Sequence, residues 1–347
     1  VRSLGSRIQV RVEFDARTAY DFLISAGTEE HDDRDLLPEE RDWLDRSRAA
    51  LSPEHRAALD ACCGSDVPTV YHGLASIVAM HPEASDAAGV LRVLDEAGPR
   101  DVAIAFIADN AAPGTEETLI ERVVDGDAAA FEQLMPSLGE WPETAIRDFL
   151  AGVGPSVTAL RQALGAWAEL FRSIEPRIAH LQEADVRSRA ADVRALAPED
   201  LIERVTGGLR FLPDANVRRI ILAPSYFSRP YNHIYQGAGW RLCCYPIADA
   251  VLEAADPSIP PASMVRLHRA LGDGTRIRIL RLLRDRDRYL TELATELELT
   301  KPTMKHHLAL LRAAGLVTVV QEGTLTYYSL RRERLEEAGR ELVRYLS

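Results

Sequence analysis

The sequence predicts a mainly α-helical fold, with a large helical N-terminal domain containing a small β-sheet and a C-terminal winged helix-turn-helix domain. Three observations carry this reading. Residues 291–330 read as a short amphipathic helix, a tight turn, a second helix, and two short strands around a glycine. From Ala16 to about Gly208 the apolar residues recur with mostly helical spacing, interrupted by short proline and glycine breaks. The charge is also divided: residues 262–347 hold 16 Lys/Arg against 11 Asp/Glu, a net of +5, whereas residues 1–261 hold 25 against 42, a net of −17.

In chain order, Ile8–Phe14 alternates apolar and polar residues and reads as a half-buried strand. Ser52-Pro53-Glu54, Trp141-Pro142-Glu143 and Ala197-Pro198-Glu199 read as helix starts, because proline in a first turn forfeits no hydrogen bond and an acid there favours the helix dipole. Pro155 is read with the remaining prolines as a break. Strands are expected near 8–14, 217–222 and 240–247, forming one small sheet. The N-terminal domain then spans 1–255, a proline-rich linker 256–261, and the winged module 262–347.

A chain of 347 residues is long enough for two or three domains, and 46% hydrophobic with 27% charged residues is ordinary for a globular protein. No apolar run approaches the ~18–20 residues that span a bilayer. The first residues lack the apolar core of a secretory signal, so a cytoplasmic location and no membrane partner are expected. Cys62-Cys63 and Cys243-Cys244 are adjacent pairs, which suits buried free thiols; neighbours on a strand point to opposite faces and do not aim at one ion. No His-Glu-x-x-His or Gly-x-Ser-x-Gly spacing occurs. No catalytic residue, metal ligand or cofactor is therefore assigned.

The second helix of the 291–330 stretch holds the most chemistry. Thr300 suits an N-cap, Pro302 the first turn, and Gly315 the stop. At 3.6 residues per turn, Met304, His307, Leu308, Leu311 and Ala314 face a core, while Lys301, Pro302, Lys305, His306, Ala309, Arg312 and Ala313 face away. That outward side is basic at its start and small further on, as a helix entering a major groove requires. Lys301 and Lys305 are the only lysines in the chain, one turn apart on that side. A merely solvated face would account for an isolated helix, but not for one with a preceding helix and following strands in register.

The run Leu267–Leu280, together with Lys301-Pro302-Thr303-Met304-Lys305-His306-His307-Leu308 and Leu311–Val317, resembles the ArsR family of winged-helix repressors over roughly 262–346. The resemblance implies a double-stranded DNA partner, with contacts at Lys301, Thr303, Lys305 and His306 and wing contacts near Gly323. Arg312, from the outward face, and Thr324, from the wing tip, complete the candidate DNA-binding set. It also implies a homodimer through the flanking helices, with Val265, Leu267 and Leu271 in front and Leu335, Ala338, Leu342 and Tyr345 behind. The wing tip departs from the family in carrying Gln321-Glu322-Gly323-Thr324 with no arginine, which shifts weight to the helix. Family members that sense metals use cysteines before the turn or Asp/His pairs on the last helix. Neither pattern occurs at 290–298 or 331–346, so metal sensing by those routes is not expected.

Between the two later strands, Tyr226, Arg229, Tyr231, His233, Tyr235 and Trp240 interleave aromatic and polar groups and form a candidate site for a small-molecule effector. A hairpin folding its aromatics back onto the core would give the same pattern. The sequence thus points to a sequence-specific DNA-binding transcriptional regulator, expected to repress, whose N-terminal domain senses an effector or mediates dimerisation. The alternative is an N-terminal enzyme or protein-interaction scaffold tethered to DNA by the winged helix.

Overall fold

The computed structural model describes residues 10–27, 36, 38–63, 73–112, 114–139, 141–211, 216–237, 239–252, 260–322 and 325–347. The chain forms two compact units. Unit 1 comprises 1–183, 214–228 and 233–244, and unit 2 comprises 184–213, 229–232 and 245–347.

The helices run α1 (Thr18–Gly27), α2 (Pro38–Ala50), α3 (Pro53–Cys63), α4 (Leu74–Met80), α5 (Ala87–Glu96), α6 (Pro99–Asn110), α7 (Glu117–Val124), α8 (Ala128–Leu134), α9 (Glu143–Phe171) and α10 (Glu175–Ser188). They continue as α11 (Ala190–Ala195), α12 (Pro198–Val205), α13 (Asp249–Leu252), α14 (Ala262–Leu271), α15 (Gly274–Leu283), α16 (Leu290–Glu296), α17 (Lys301–Ala313) and α18 (Arg332–Leu346). The strands are β1 (Arg11–Phe14), β2 (Leu209–Phe211), β3 (Arg219–Ser225), β4 (His233–Gly237), β5 (Trp240–Pro246), β6 (Arg288–Tyr289), β7 (Val317–Glu322) and β8 (Leu325–Leu330). No described helix is long and apolar enough to cross a membrane.

In unit 1 the sheet order is β1-β3-β5-β4. β1 runs parallel to β3, with Arg11 opposite Arg219, and β4 is antiparallel to β5. β3 and β5 are buried along nearly their whole length, which explains why they read as continuous apolar runs rather than alternating ones. Residues 8 and 9 of the expected first strand lie outside the described residues.

Around this sheet, Trp43 meets Trp167, Phe171 and Phe227 at centroid distances of 5.4, 6.1 and 5.3 Å. Asp21 is wholly buried within α1. Its carboxylate accepts from Ser225 Oγ (2.6 Å), from the amides of Tyr226 (2.9 Å) and Phe227 (3.1 Å), and from Gln182 Nε2 (2.8 Å). Burial pushes its pKa up, and these donors oppose the rise.

The break expected at Pro155 does not occur, because α9 runs through it. An interior proline costs about 3 kcal/mol through its missing N–H and its clash with the carbonyl four residues earlier. Buried Ile146 and Phe149 on one side, and Leu160, Leu164, Trp167 and Phe171 on the other, keep both halves docked. The three helix starts at Pro53, Pro142 and Pro198 differ only in that Pro142 is the N-cap of α9 rather than its first residue.

In unit 2, α14 to α18 surround a sheet of order β2-β7-β8-β6. β7 and β8 form the antiparallel wing, from Val317 opposite Leu330 to Glu322 opposite Leu325. β2, from far upstream, adds to β7 in parallel, with Leu209 opposite Val319. The unit holding the winged helix therefore also takes in 184–213 and 229–232, beyond the start at 262 read from the sequence. Linker positions 256–259 lie outside the described residues.

Candidate nucleic-acid interface

α16 opens where the amide of Tyr289 donates to the Glu292 carboxylate at 2.9 Å. Arg286 pairs with Glu292 at 2.9 Å, and this hydrogen bond holds that carboxyl below its usual range. Arg288 pairs with Glu296 at 2.5 Å. Two acids on α16 are thus already matched with cations. Leu293, Ala294 and Leu297 are buried, and Glu298 turns the chain at a φ of 55°.

α17 then begins at Thr300, whose Oγ1 accepts from the Thr303 amide at 3.3 Å and lies 2.8 Å from the Thr303 hydroxyl. Met304, Leu308 and Leu311 are fully buried and Ala314 nearly so, which fixes the roll of the helix. Gly315 ends it at a φ of +73°, a conformation that glycine adopts without strain. Lys301, Pro302, Thr303 and Lys305 are exposed. Lys305 makes no ion pair with any described residue, so its charge is open to an anion.

The remaining candidates behave differently. Arg312, expected to reach DNA, is 7% exposed, and its Nη1 and Nη2 donate to the carbonyls of Thr206 (2.9 Å) and Pro230 (2.6 Å). Ala309 is buried, and half-buried His306 has Nδ1 3.0 Å from the Tyr231 hydroxyl. Helical periodicity located the side facing away from Met304 and Leu308, but that side has a second neighbour, supplied by residues 206 and 229–232. Gly323 and Thr324 lie outside the described residues.

Of the expected dimer residues, Leu267 and Ala338 are buried within the protomer, where α14 and α18 pack together, and are not available to a partner. Val265, Leu271, Leu335, Leu342 and Tyr345 are half-buried. Val343 and Leu346, which the sequence reading missed, are 66% and 73% exposed. Their signal was two large apolar residues in the last turns of a strongly amphipathic helix.

The six effector candidates fall in both units, with Tyr226, His233, Tyr235 and Trp240 in unit 1 and Arg229 and Tyr231 in unit 2. Tyr226 is buried in unit 1, with its hydroxyl 3.4 Å from Glu39 and the Arg177 guanidinium 5.7 Å from its ring. Arg229, in unit 2, is buried and donates to the Ile247 carbonyl while lying 3.5 Å from Asp249. Tyr231 belongs with His306, as above. His233 and Tyr235 lie on β4, opposite Cys244 and Leu242, and Trp240 stacks over Gly237, where an added Cβ would sit 2.6 Å from the indole. Cys243 and Cys244 are buried free thiols.

Residues 273–319 match the model of the bacterial regulatory protein, arsR family. The HTH-type transcriptional regulator CmtR of Mycobacterium tuberculosis is 43% identical over 82 residues, which is 24% of this chain and 70% of CmtR. The regulator KmtR of the same organism is 36% identical over 74 residues, 21% of this chain and 57% of KmtR. The transcriptional repressor SdpR of Bacillus subtilis is 29% identical over 84 residues, 24% of this chain and 93% of SdpR. A capped helix with an exposed cationic first turn, a wing behind it and these relatives agree: by its C-terminal quarter, the chain belongs to the ArsR family of bacterial regulatory proteins.

Proposed function

We propose that the protein is a sequence-specific transcriptional repressor that grips operator DNA as a homodimer, through the first turns of two α17 helices. The observation that carries the reading is Lys305, exposed on a well-capped helix and unmatched by any described acid, one turn from Lys301. Thr303 stands between them, with its hydroxyl held by Thr300. Cations at such a helix start neutralise phosphates and read guanine edges. Repression is supported by the likeness to SdpR, and a role in sensing or dimerisation is assigned to the N-terminal unit.

The test is selection of duplexes from a random-sequence pool by the full chain. A recurrent near-palindromic motif is expected, with half-sites about one helical turn apart. Lys305→Ala should reduce affinity for the enriched duplex. Selection that enriches no sequence would end the proposal.

A further inference from the structure

The outward face of α17 is covered over its second half. Ala309 and Arg312 return to the side of Lys305 after steps of four and three residues, yet they are 9% and 7% exposed. Over Arg312 the cover is Thr206, just after α12, and the tetrapeptide Arg229–Asn232 between β3 and β4. The Thr206 carbonyl accepts from both Arg312 Nη1 (2.9 Å) and Asn232 Nδ2 (3.0 Å). The Pro230 carbonyl accepts from Arg312 Nη2 (2.6 Å), and the Tyr231 hydroxyl reaches His306 Nδ1 at 3.0 Å. Asp249, which lies 3.5 Å from Arg229, is itself held by Arg266 at 2.7 Å, so the tetrapeptide is pinned at its start as well as along its length.

A major groove is about 12 Å wide, and a helix with its side chains measures roughly 10–12 Å across. No room is left for a second length of backbone on the reading face. We propose that Arg229–Asn232 is an autoinhibitory strap, which leaves the first turns of α17 open and must come away before the helix seats at full depth. The strap is held at α17 by polar contacts, and a duplex offers substitutes for them: Arg312 and His306, once released, face phosphates and base edges. Covalent continuity with the ends of β3 and β4 makes its release sensitive to any change in the spacing of those ends. This inference rests on the reading of α17 as the DNA-contacting helix.

The experiment uses the full chain and the duplex enriched from the random pool. Tyr231→Phe removes the strap's hydroxyl contact and is expected to tighten binding about threefold to tenfold, the worth of one neutral hydrogen bond. Hydrogen exchange at the amides of Tyr231 and Asn232 is expected to speed up when wild-type protein binds the duplex. Lys305→Ala on the same duplex separates the two ideas. If it leaves affinity unchanged, the DNA reading fails and the strap with it. If it weakens binding, but Tyr231→Phe does not tighten it or the strap amides exchange no faster in the complex, the strap alone is overturned.

Discussion

The amide of Val319 donates to the carbonyl of Gly208 at 2.7 Å, and this bond starts the parallel pairing of β2 with the wing strand β7. Gly208 lies at a φ of +111°, and a Cβ there would sit 3.3 Å from Thr318 Cγ2 and from the Val317 carbonyl. Gly208→Val is expected to destabilise unit 2 by roughly 1–3 kcal/mol through backbone strain. Thermal melting of the full chain measures it, and an unchanged transition would show that β2 contributes little to the unit.

Lys305→Ala is expected to change the salt dependence of duplex binding as well as its strength. Each neutralised phosphate contributes about 0.9 to the slope of log affinity against log salt. A slope lower by about one unit, from anisotropy titrations at several salt concentrations, assigns Lys305 to phosphate. An unchanged slope with a cost of about 1–3 kcal/mol at one base position assigns it to a base edge.

The carboxyl of Asp109 predicts a pH effect in unit 1. It accepts from the Gln236 amide at 2.6 Å and from Ser76 Oγ at 3.4 Å, and burial raises its pKa to about 7 despite these donors. Between the ordinary carboxylate range and pH 7 the folded protein keeps a proton that the unfolded chain has lost. Stability therefore falls as pH rises through that window and levels off above it. The loss is roughly 2 kcal/mol, less than the full shift implies because the residue keeps some contact with water. Asp21, also raised by burial, acts in the same direction. Urea midpoints at pH 5 and pH 8 should differ in the wild type and differ less in Asp109→Asn, Asp21 keeping the remainder.

The exposed pair on α18 bears on assembly. Val343 and Leu346 expose 66% and 73% of their surface beside half-buried Leu342 and Tyr345. Val343→Glu with Leu346→Glu is expected to shift the chain from dimer to monomer in sedimentation velocity while its helical circular-dichroism signal is kept, and to remove the concentration dependence of its melting temperature. A variant that stays dimeric would remove this face from the interface.

The parts of α17 that local chemistry dictates were legible in its sequence. Thr300 and Gly315 bound the helix, and the spacing of Met304, Leu308 and Leu311 sets its buried side. Arg312 and His306 were not legible, because their partners lie 106, 82 and 75 positions upstream and no periodicity encodes a second neighbour. The three residues of β2 are too few to show alternation, and their pairing depends on a glycine turn whose partner strand comes 110 positions later. Leu267 and Ala338 were assigned to a partner because the family resemblance implies a dimer through the flanking helices, and a resemblance does not say which residues of those helices pack within the chain, as these two do where α14 meets α18. Pro155 illustrates the opposite error, a strong local signal overruled by tertiary packing.

Nature has left this molecule with a built-in chemical address. Within residues 1–347 the only ε-amines belong to Lys301 and Lys305, and both are exposed on α17. Among side-chain amines an acylating reagent therefore marks that helix alone; the α-amino group, with its lower pKa, reacts as well, so the extent of labelling at α17 with and without a polyanion is read by peptide mapping.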